Sequence, residues 1–150
     1  MLGAPNTSSK HVEFVCEIDD FDLVEFVDVA ANFGSKRFGY VVTPNVDHLI
    51  RLHDDDAFRG LYADASFVLN DSQFASHLLW ATRGVKLPVC TGSDLTAELL
   101  TCVVAPNDRL VLIGGTDGEA QRLADTFGLS QLAHHCPPMG FVSEIGRAHV

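Results

Sequence analysis

The stretch RLVLIGGTDGE, residues 109–119, carries the clearest strand-to-helix pattern in the sequence. Residues 109–113 form a short, mainly apolar run of strand length, and the pair Gly114-Gly115 ends it. Thr116 and Glu119 have the spacing of a capping box, which predicts that a helix starts directly after the glycines. A strand that leads through a tight turn into a helix is the repeating unit of parallel α/β sheets.

The same alternation of strands and helices extends through the rest of the chain. Strands are predicted at residues 11–18, 38–43, 66–69, 87–90 and 109–113. Helices are predicted at residues 23–33, 46–53, 56–63, 74–82, 92–104 and 117–127. The predicted fold class is therefore α/β, with a Rossmann-like, mainly parallel sheet and helices on both faces. Residues 1–10 are predicted to be a flexible lead, and residues 11–144 one α/β domain.

The composition argues against several classes of protein. A net charge of -10 disfavours a surface that tracks nucleic-acid phosphates, so no nucleic-acid partner is expected. No run approaches the roughly 20 apolar residues of a membrane helix, and residues 1–10 lack an apolar signal core. The cysteines show no C-x-x-C spacing, which favours reduced thiols in a cytoplasmic protein. They are Cys16, Cys90, Cys102 and Cys136.

Polar residues and glycines follow several of the predicted strands. Ligands of open α/β sheets bind outside the carboxyl ends of the strands, so these residues are candidates for a binding site. They are Thr43-Pro44-Asn45, Asn70-Asp71, Thr91-Gly92 and Gly114-Gly115. Their shared position after strands is stronger evidence than any one of these short motifs.

Each candidate also has a purely structural interpretation. Asn45 could bind a substrate hydroxyl or phosphate through its amide, or Thr43 or Asn45 could cap the next helix. Asp71 could act as a general base towards a hydroxyl, or cap a helix that starts at Ser72. Gly114-Gly115 could let the backbone approach a diphosphate, or form only a tight turn.

Two further patterns contain residue types that bind metals. Asp54-Asp55-Asp56 includes a D-x-D pattern, but it lies between predicted helices, where carboxylates favour the helix dipole. His134-His135-Cys136 lacks the ligand spacing of a zinc site, although either histidine could still point into the binding site. We therefore expect no metal.

The segments together resemble the WecG/TagA/CpsF family, glycosyltransferase family 26. Five ordered segments carry the resemblance: residues 41–49 with Thr43-Pro44-Asn45, residues 58–71 ending at Asp71, Thr91-Gly92-Ser93-Asp94-Leu95, Leu112-Ile113-Gly114-Gly115, and Pro137-Pro138-Met139-Gly140-Phe141. Many members have Asp-Gly where this chain has Asp71-Ser72, so the loop after the aspartate differs.

The resemblance implies an inverting transfer of a hexosyl or N-acetylhexosaminyl group from a UDP-sugar. The acceptor would be a polyprenyl-diphosphate-linked sugar in the synthesis of bacterial surface polysaccharide or wall polymer. No cofactor is expected, and the full-length enzyme would lie at the inner face of the cytoplasmic membrane. The family's aspartate maps onto Asp71 as general base. The substrate-binding residues would be Thr43, Asn45, Thr91, Gly92, Ser93, Asp94, Gly114 and Gly115. A homo-oligomer is compatible with the sequence.

The end of the chain departs from the family. Members continue with a further strand, a P-x-Q-E segment and a basic C-terminal appendage that meets the membrane. Residues 145–150, IGRAHV, are what ATCGGAAGAGCACACGTC encodes, a common sequencing-library adapter, so we interpret them as a non-native tail. We expect the chain to be a truncated N-terminal fragment, inactive on its own and only marginally soluble.

Two other functions fit parts of the sequence. In an NAD-dependent Rossmann-like oxidoreductase, Gly114-Gly115 would hold the pyrophosphate. Against this, the glycine pair lies late in the chain, and no acidic residue ends a second strand about 20 residues after it. A non-catalytic module that binds nucleotide sugars is the other alternative.

Overall fold

The computed structural model describes residues 11–33 and 38–138, in two compact units, Met1–Val103 and Val104–Val150. The predicted lead, residues 1–10, and residues 139–150 with the predicted tail lie outside the described part. The helices are α1 Leu23–Ala31, α2 Val46–Asp54, α3 Asp56–Ala63, α4 Gln73–Arg83, α5 Gly92–Cys102 and α6 Asp117–Phe127. The strands are β1 His11–Glu13, β2 Glu17–Asp19, β3 Val41–Val42, β4 Phe67–Val68, β5 Leu110–Ile113 and β6 Leu132–His135. The predicted α/β class is confirmed.

The strands pair two by two in the described part of the chain. β1 and β2 are antiparallel, whereas β3 with β4 and β5 with β6 are parallel. The predicted strand at residues 11–18 is therefore wrong as a single strand, because it folds back on itself as a hairpin. β6 was not among the predicted strands. The mainly parallel character of the prediction agrees with the other two pairs.

Side-chain caps start the helices of both units. The capping boxes of Asp22 with Glu25 and of Thr116 with Glu119 are both formed. The N-cap residues of the described helices are Asp22, Asn45, Asp55, Ser72, Thr91 and Thr116. Gly84 and Gly128 end α4 and α6 with φ of +67° and +64°, a conformation that favours glycine.

The core of the first unit lies on both faces of β4. Val68 and Leu69 are consecutive, so their side chains point to opposite faces. Val68 packs in a cluster with residues of β2, α2, α3, α4 and the predicted extended segment 87–90, namely Ile18, Leu49, Leu52, Tyr62, Ala75, Leu79 and Leu87. Leu69 packs in a second cluster with Phe26 of α1, Cys90 and Leu95 of α5. Helices therefore cover both faces of β4.

Backbone hydrogen bonds extend β4 on both of its edges. Leu69 N–H donates to the Val42 carbonyl at 2.9 Å, next to β3. On the other edge, Cys90 N–H donates to the Asn70 carbonyl at 2.8 Å. The predicted extended segment 87–90 therefore ends beside the carboxyl end of β4. As a result, the chain leaves β3, β4 and segment 87–90 at one end of the first unit.

In the second unit, α6 packs against the β5–β6 pair. Leu110, Leu112, Leu132 and His134 are half-buried, and the residues that alternate with them are exposed. Ala120 of α6 and Leu129 are buried. α6 therefore covers one face of the β5–β6 pair.

Candidate active site

The residues that follow β3 and segment 87–90 are in contact. A Cβ atom placed on Gly92 would lie 2.8 Å from Thr43 Oγ1, so the two residues approach each other more closely than a side chain at residue 92 would allow. Pro44, which follows Thr43, is fully buried. The Thr43-Pro44-Asn45 motif and the start of α5 therefore lie next to each other, as their shared position after strands predicts.

Asn45 serves as the N-cap of α2. Its Oδ1 accepts a hydrogen bond from His48 N–H at 3.0 Å, and the side chain is exposed. The structural interpretation of Asn45 is thus confirmed for this oxygen. The amide nitrogen of the same side chain takes no part in the cap, so it can still donate to a ligand, and its substrate-binding role stays a prediction.

Asp71 is not a helix cap, and that alternative is wrong. Ser72 caps α4 instead, because its Oγ accepts from Ala75 N–H at 3.1 Å. Asp71 lies between β4 and α4, half-buried, and its carboxylate accepts no hydrogen bond from the residues that the structure describes. A carboxylate with open lone pairs at the end of a strand has the chemistry that a general base needs.

The surroundings of Asp71 are acidic. The Cys90 thiol is almost fully buried, and burial first, then the carboxylates of Asp94, Asp22 and Asp71, raise its pKa to about 11. Cys90 is therefore a neutral thiol at physiological pH, which excludes it as a thiolate nucleophile there. Asp22 lies three residues after β2, as Asp71 does after β4, but Asp22 caps α1, whereas Asp71 caps no helix.

The N-terminus of α5 supplies hydroxyl groups beside Thr43. Thr91 caps the helix, with its Oγ1 accepting from Asp94 N–H at 3.1 Å. Thr91 Oγ1 and Ser93 Oγ are also 3.1 Å apart, and Ser93 and Asp94 are exposed. Hydroxyl and carboxylate oxygens together can bind the hydroxyls of a sugar.

Asn70 was noted in the sequence only as the neighbour of Asp71, and its own role was missed. The side chain is 2% exposed. Its Oδ1 accepts from Ser72 N–H at 3.0 Å, and its Nδ2 donates to the Pro88 carbonyl at 3.0 Å. The detectable signal is an asparagine placed two residues before a helix cap, where its side chain can close an Asx-type turn.

Gly114 and Gly115 belong to the second unit. Their φ angles are +94° and +72°, so the turn after β5 favours glycine at both places. The carboxylate of Glu119 accepts from Thr116 N–H at 2.8 Å, so the first turn of α6 already satisfies one of its own donors. The role of the glycine pair in binding a diphosphate stays a prediction.

His134 is held inside the second unit. Its Nδ1 lies 2.8 Å from Asp117 Oδ1 and its Nε2 lies 2.9 Å from the Gly114 carbonyl oxygen, and its side chain is 11% exposed. The hydrogen bond to Asp117, followed by the one to Gly114, raises the pKa of His134. His135, in contrast, is exposed. These bonds give His134 a structural task in the turn between β5 and α6.

Asp55, between α2 and α3, starts a helix, which is the interpretation that the sequence favours for Asp54-Asp55-Asp56. Asp55 caps α3 by accepting from Phe58 N–H at 2.9 Å, and it pairs with Arg51 at 3.1 Å. The hydrogen bond from Phe58 N–H, followed by the one from Arg51, lowers the pKa of Asp55. Within residues 11–33 and 38–138, no three His, Cys, Asp or Glu side chains converge as a metal site would require.

A comparison with known protein families identifies one for this chain. The family model of the Glycosyl transferase WecG/TagA/CpsF family matches residues 13–147. This match starts before the segments quoted above and reaches residues 145–147, which the sequence alone assigns to a non-native tail. No curated protein matches the chain. Among the described helices, none has the length and apolar character needed to cross a membrane.

Proposed function

We infer the reaction from one premise: the chain belongs to the glycosyl transferase WecG/TagA/CpsF family, and its function is of the glycosyltransferase type. The proposed reaction moves a sugar from a UDP-sugar to a polyprenyl-diphosphate-linked sugar with inversion at the anomeric carbon. The product serves bacterial surface polysaccharide or wall polymer synthesis. The lipid anchor holds the acceptor at a membrane, and the proposed place of the reaction is the inner face of the cytoplasmic membrane.

One observation carries the mechanism: the carboxylate of Asp71 is left without a structural task. Ser72 takes the helix cap, so Asp71 is available to accept the proton of the acceptor hydroxyl. The hydroxyl oxygen then forms a bond to the anomeric carbon from the face opposite the UDP. The bond from that carbon to the UDP oxygen breaks, and UDP leaves with the electron pair.

The residues near Asp71 suit the sugar part of the substrates. Thr43 touches Gly92, so the hydroxyls of Thr43, Thr91 and Ser93 lie at the start of α5. Asp94 in the same helical turn adds a carboxylate, which attracts hydroxyl donors more than phosphate oxygens. We therefore assign sugar hydroxyls to this set, with Asn45 donating from its amide.

The second unit has its own candidate for binding a phosphate. Gly114-Gly115 precedes α6, and a glycine pair before a helix N-terminus lets backbone N–H groups reach a phosphate. The reaction needs no metal in this scheme, because hydrogen-bond donors stabilise the charge that develops on UDP.

The test is Asp71→Asn, which keeps the size of the side chain and removes the base. It is made in the protein expressed from the complete reading frame, with Asp64→Asn as control, because Asp64 is exposed at the end of α3. Transfer from several UDP-sugars to a lipid-diphosphate acceptor should fall by about 10²–10⁴-fold for Asp71→Asn only. Transfer at the wild-type rate by Asp71→Asn refutes the base assignment. Calorimetric binding of NAD but not UDP would favour the oxidoreductase instead.

A further inference from the structure

We propose that Asn70 is the positioning residue that fixes Asp71 and the start of α5 relative to each other. This inference rests on the proposed function, in which Asp71 is the general base. Asn70 does not need to touch either substrate for this role. It acts through the backbone on both sides of the base and through the segment that leads into α5.

Asn70 joins two parts of the site through three hydrogen bonds. Its Oδ1 accepts from Ser72 N–H at 3.0 Å, which spans Asp71 and closes the turn around it. Its Nδ2 donates to the Pro88 carbonyl at 3.0 Å, and its backbone carbonyl accepts from Cys90 N–H at 2.8 Å. Segment 88–90 leads directly into Thr91 and Gly92.

The burial of these groups makes the link rigid. Asn70 is 2% exposed and Ser72 is 6% exposed, so water does not compete well for their hydrogen bonds. Between them, Asp71 keeps a carboxylate that no described residue binds. The backbone of the base is therefore fixed on both sides while its side chain remains open to substrate, which is the arrangement that precise proton transfer requires.

The two side-chain bonds of Asn70 have different purposes. The bond to Ser72 orients Asp71, whereas the bond to Pro88 sets the distance between Asp71 and the hydroxyls of α5. Alanine at residue 70 removes both bonds. Serine can still close the turn with its hydroxyl, although more weakly, and cannot bridge to Pro88.

The experiment is a double-mutant cycle of Asn70→Ala with Asp71→Asn in the protein from the complete reading frame. Asn70→Ala alone should lower kcat by about 10- to 100-fold, the range expected for a misplaced catalytic group, with little change in KM for the UDP-sugar. In the Asp71→Asn background, Asn70→Ala should change the residual rate by less than about twofold. Asn70→Ser should lie between wild type and Asn70→Ala.

Controls separate positioning from a loss of fold. Asn32→Ala removes an exposed amide that bonds within α1 and should leave kcat unchanged. Rates are divided by the folded fraction from near-UV circular dichroism, and Asn70→Ser takes the place of Asn70→Ala in the cycle if the alanine variant does not fold. Equal rate losses in both backgrounds overturn the inference and leave the base assignment standing. A wild-type protein without transfer activity, or an active Asp71→Asn variant, overturns the proposed function and this inference with it.

Discussion

Gly92→Ala should destabilise the first unit, because the new methyl group would collide with Thr43. The added Cβ would lie 2.8 Å from Thr43 Oγ1 and 3.7 Å from Thr43 Cβ. The first distance is roughly 0.6 Å below the 3.4 Å at which ordinary van der Waals contact begins. Overpacking of this kind costs about 1–3 kcal/mol. Alanine gains up to about 1 kcal/mol over glycine in a helix, so we expect a net loss of about 0–2 kcal/mol at residue 92.

A matched substitution isolates the collision from the helix preference. Gly60 lies within α3, and a Cβ placed on it would meet no heavy atom within 4 Å apart from its chain neighbours and the backbone of its own helix. Gly60→Ala should therefore stabilise the chain by about 0.5–1 kcal/mol. Thr43→Ala removes the oxygen that Gly92→Ala strikes. In that background, Gly92→Ala should destabilise the chain much less than it does with Thr43 present. The difference between the two changes in free energy of unfolding is the coupling between residues 43 and 92.

Urea unfolding of the 150-residue chain, followed by circular dichroism, measures all these variants. The deciding quantity is the difference in free energy of unfolding between Gly92→Ala and Gly60→Ala, expected at about 1–3 kcal/mol. Equal effects of the two substitutions, or no coupling with Thr43→Ala, would show that β3 and α5 do not meet at these residues. The placement of Thr43 in the candidate site would then be wrong.

Two further predictions concern buried and titrating groups. Asp19→Ala should lower the free energy of unfolding in urea by about 1–3 kcal/mol, because the buried N–H of Val68 loses the acceptor that lies 2.8 Å away. Asp19→Asn keeps an oxygen at this place and should cost less. An equal loss in both variants would contradict this explanation. His134 has its pKa raised above 6.5, chiefly by Asp117, so its contribution to stability is fully present below pH 6.5 and is lost as the pH rises through the raised pKa. Asp117→Ala should return the His134 pKa towards 6.5 in an NMR titration, whereas an unchanged pKa would show that Asp117 is not the cause.

Local signals predicted the helices well. The capping boxes at Asp22 and Thr116 depend on residues three apart, so the sequence contains all the information needed. The hairpin of β1 and β2 was missed because its turn, Phe14 to Cys16, has none of the glycine, proline, asparagine or aspartate residues that mark turns. β6 was missed because one of its two inward residues is His134, which hydrogen bonds rather than hydrophobic packing hold in place.

The site was predicted less completely, because it depends on contacts distant in sequence. The position after strands correctly brings Thr43 and Gly92 together. Asp71 and Ser72 are both good caps, so the sequence does not decide between them. The choice follows from Asn70, whose Oδ1 holds Ser72 N–H while its Nδ2 holds the Pro88 carbonyl, 18 residues away. Nothing in a single sequence shows that pairing.

The two bonds on the edge of β4 away from β3 also affect how the chain meets copies of itself. A parallel strand with free N–H and C=O groups is a template for strand addition by another molecule. On this edge, the Asp19 carboxylate occupies the Val68 N–H and Cys90 occupies the Asn70 carbonyl. A foreign strand would have to displace a buried carboxylate to pair here. Self-association that starts from β4 is therefore blocked at this edge. Asp19→Ala would free the Val68 N–H and leave only the bond between Cys90 and Asn70.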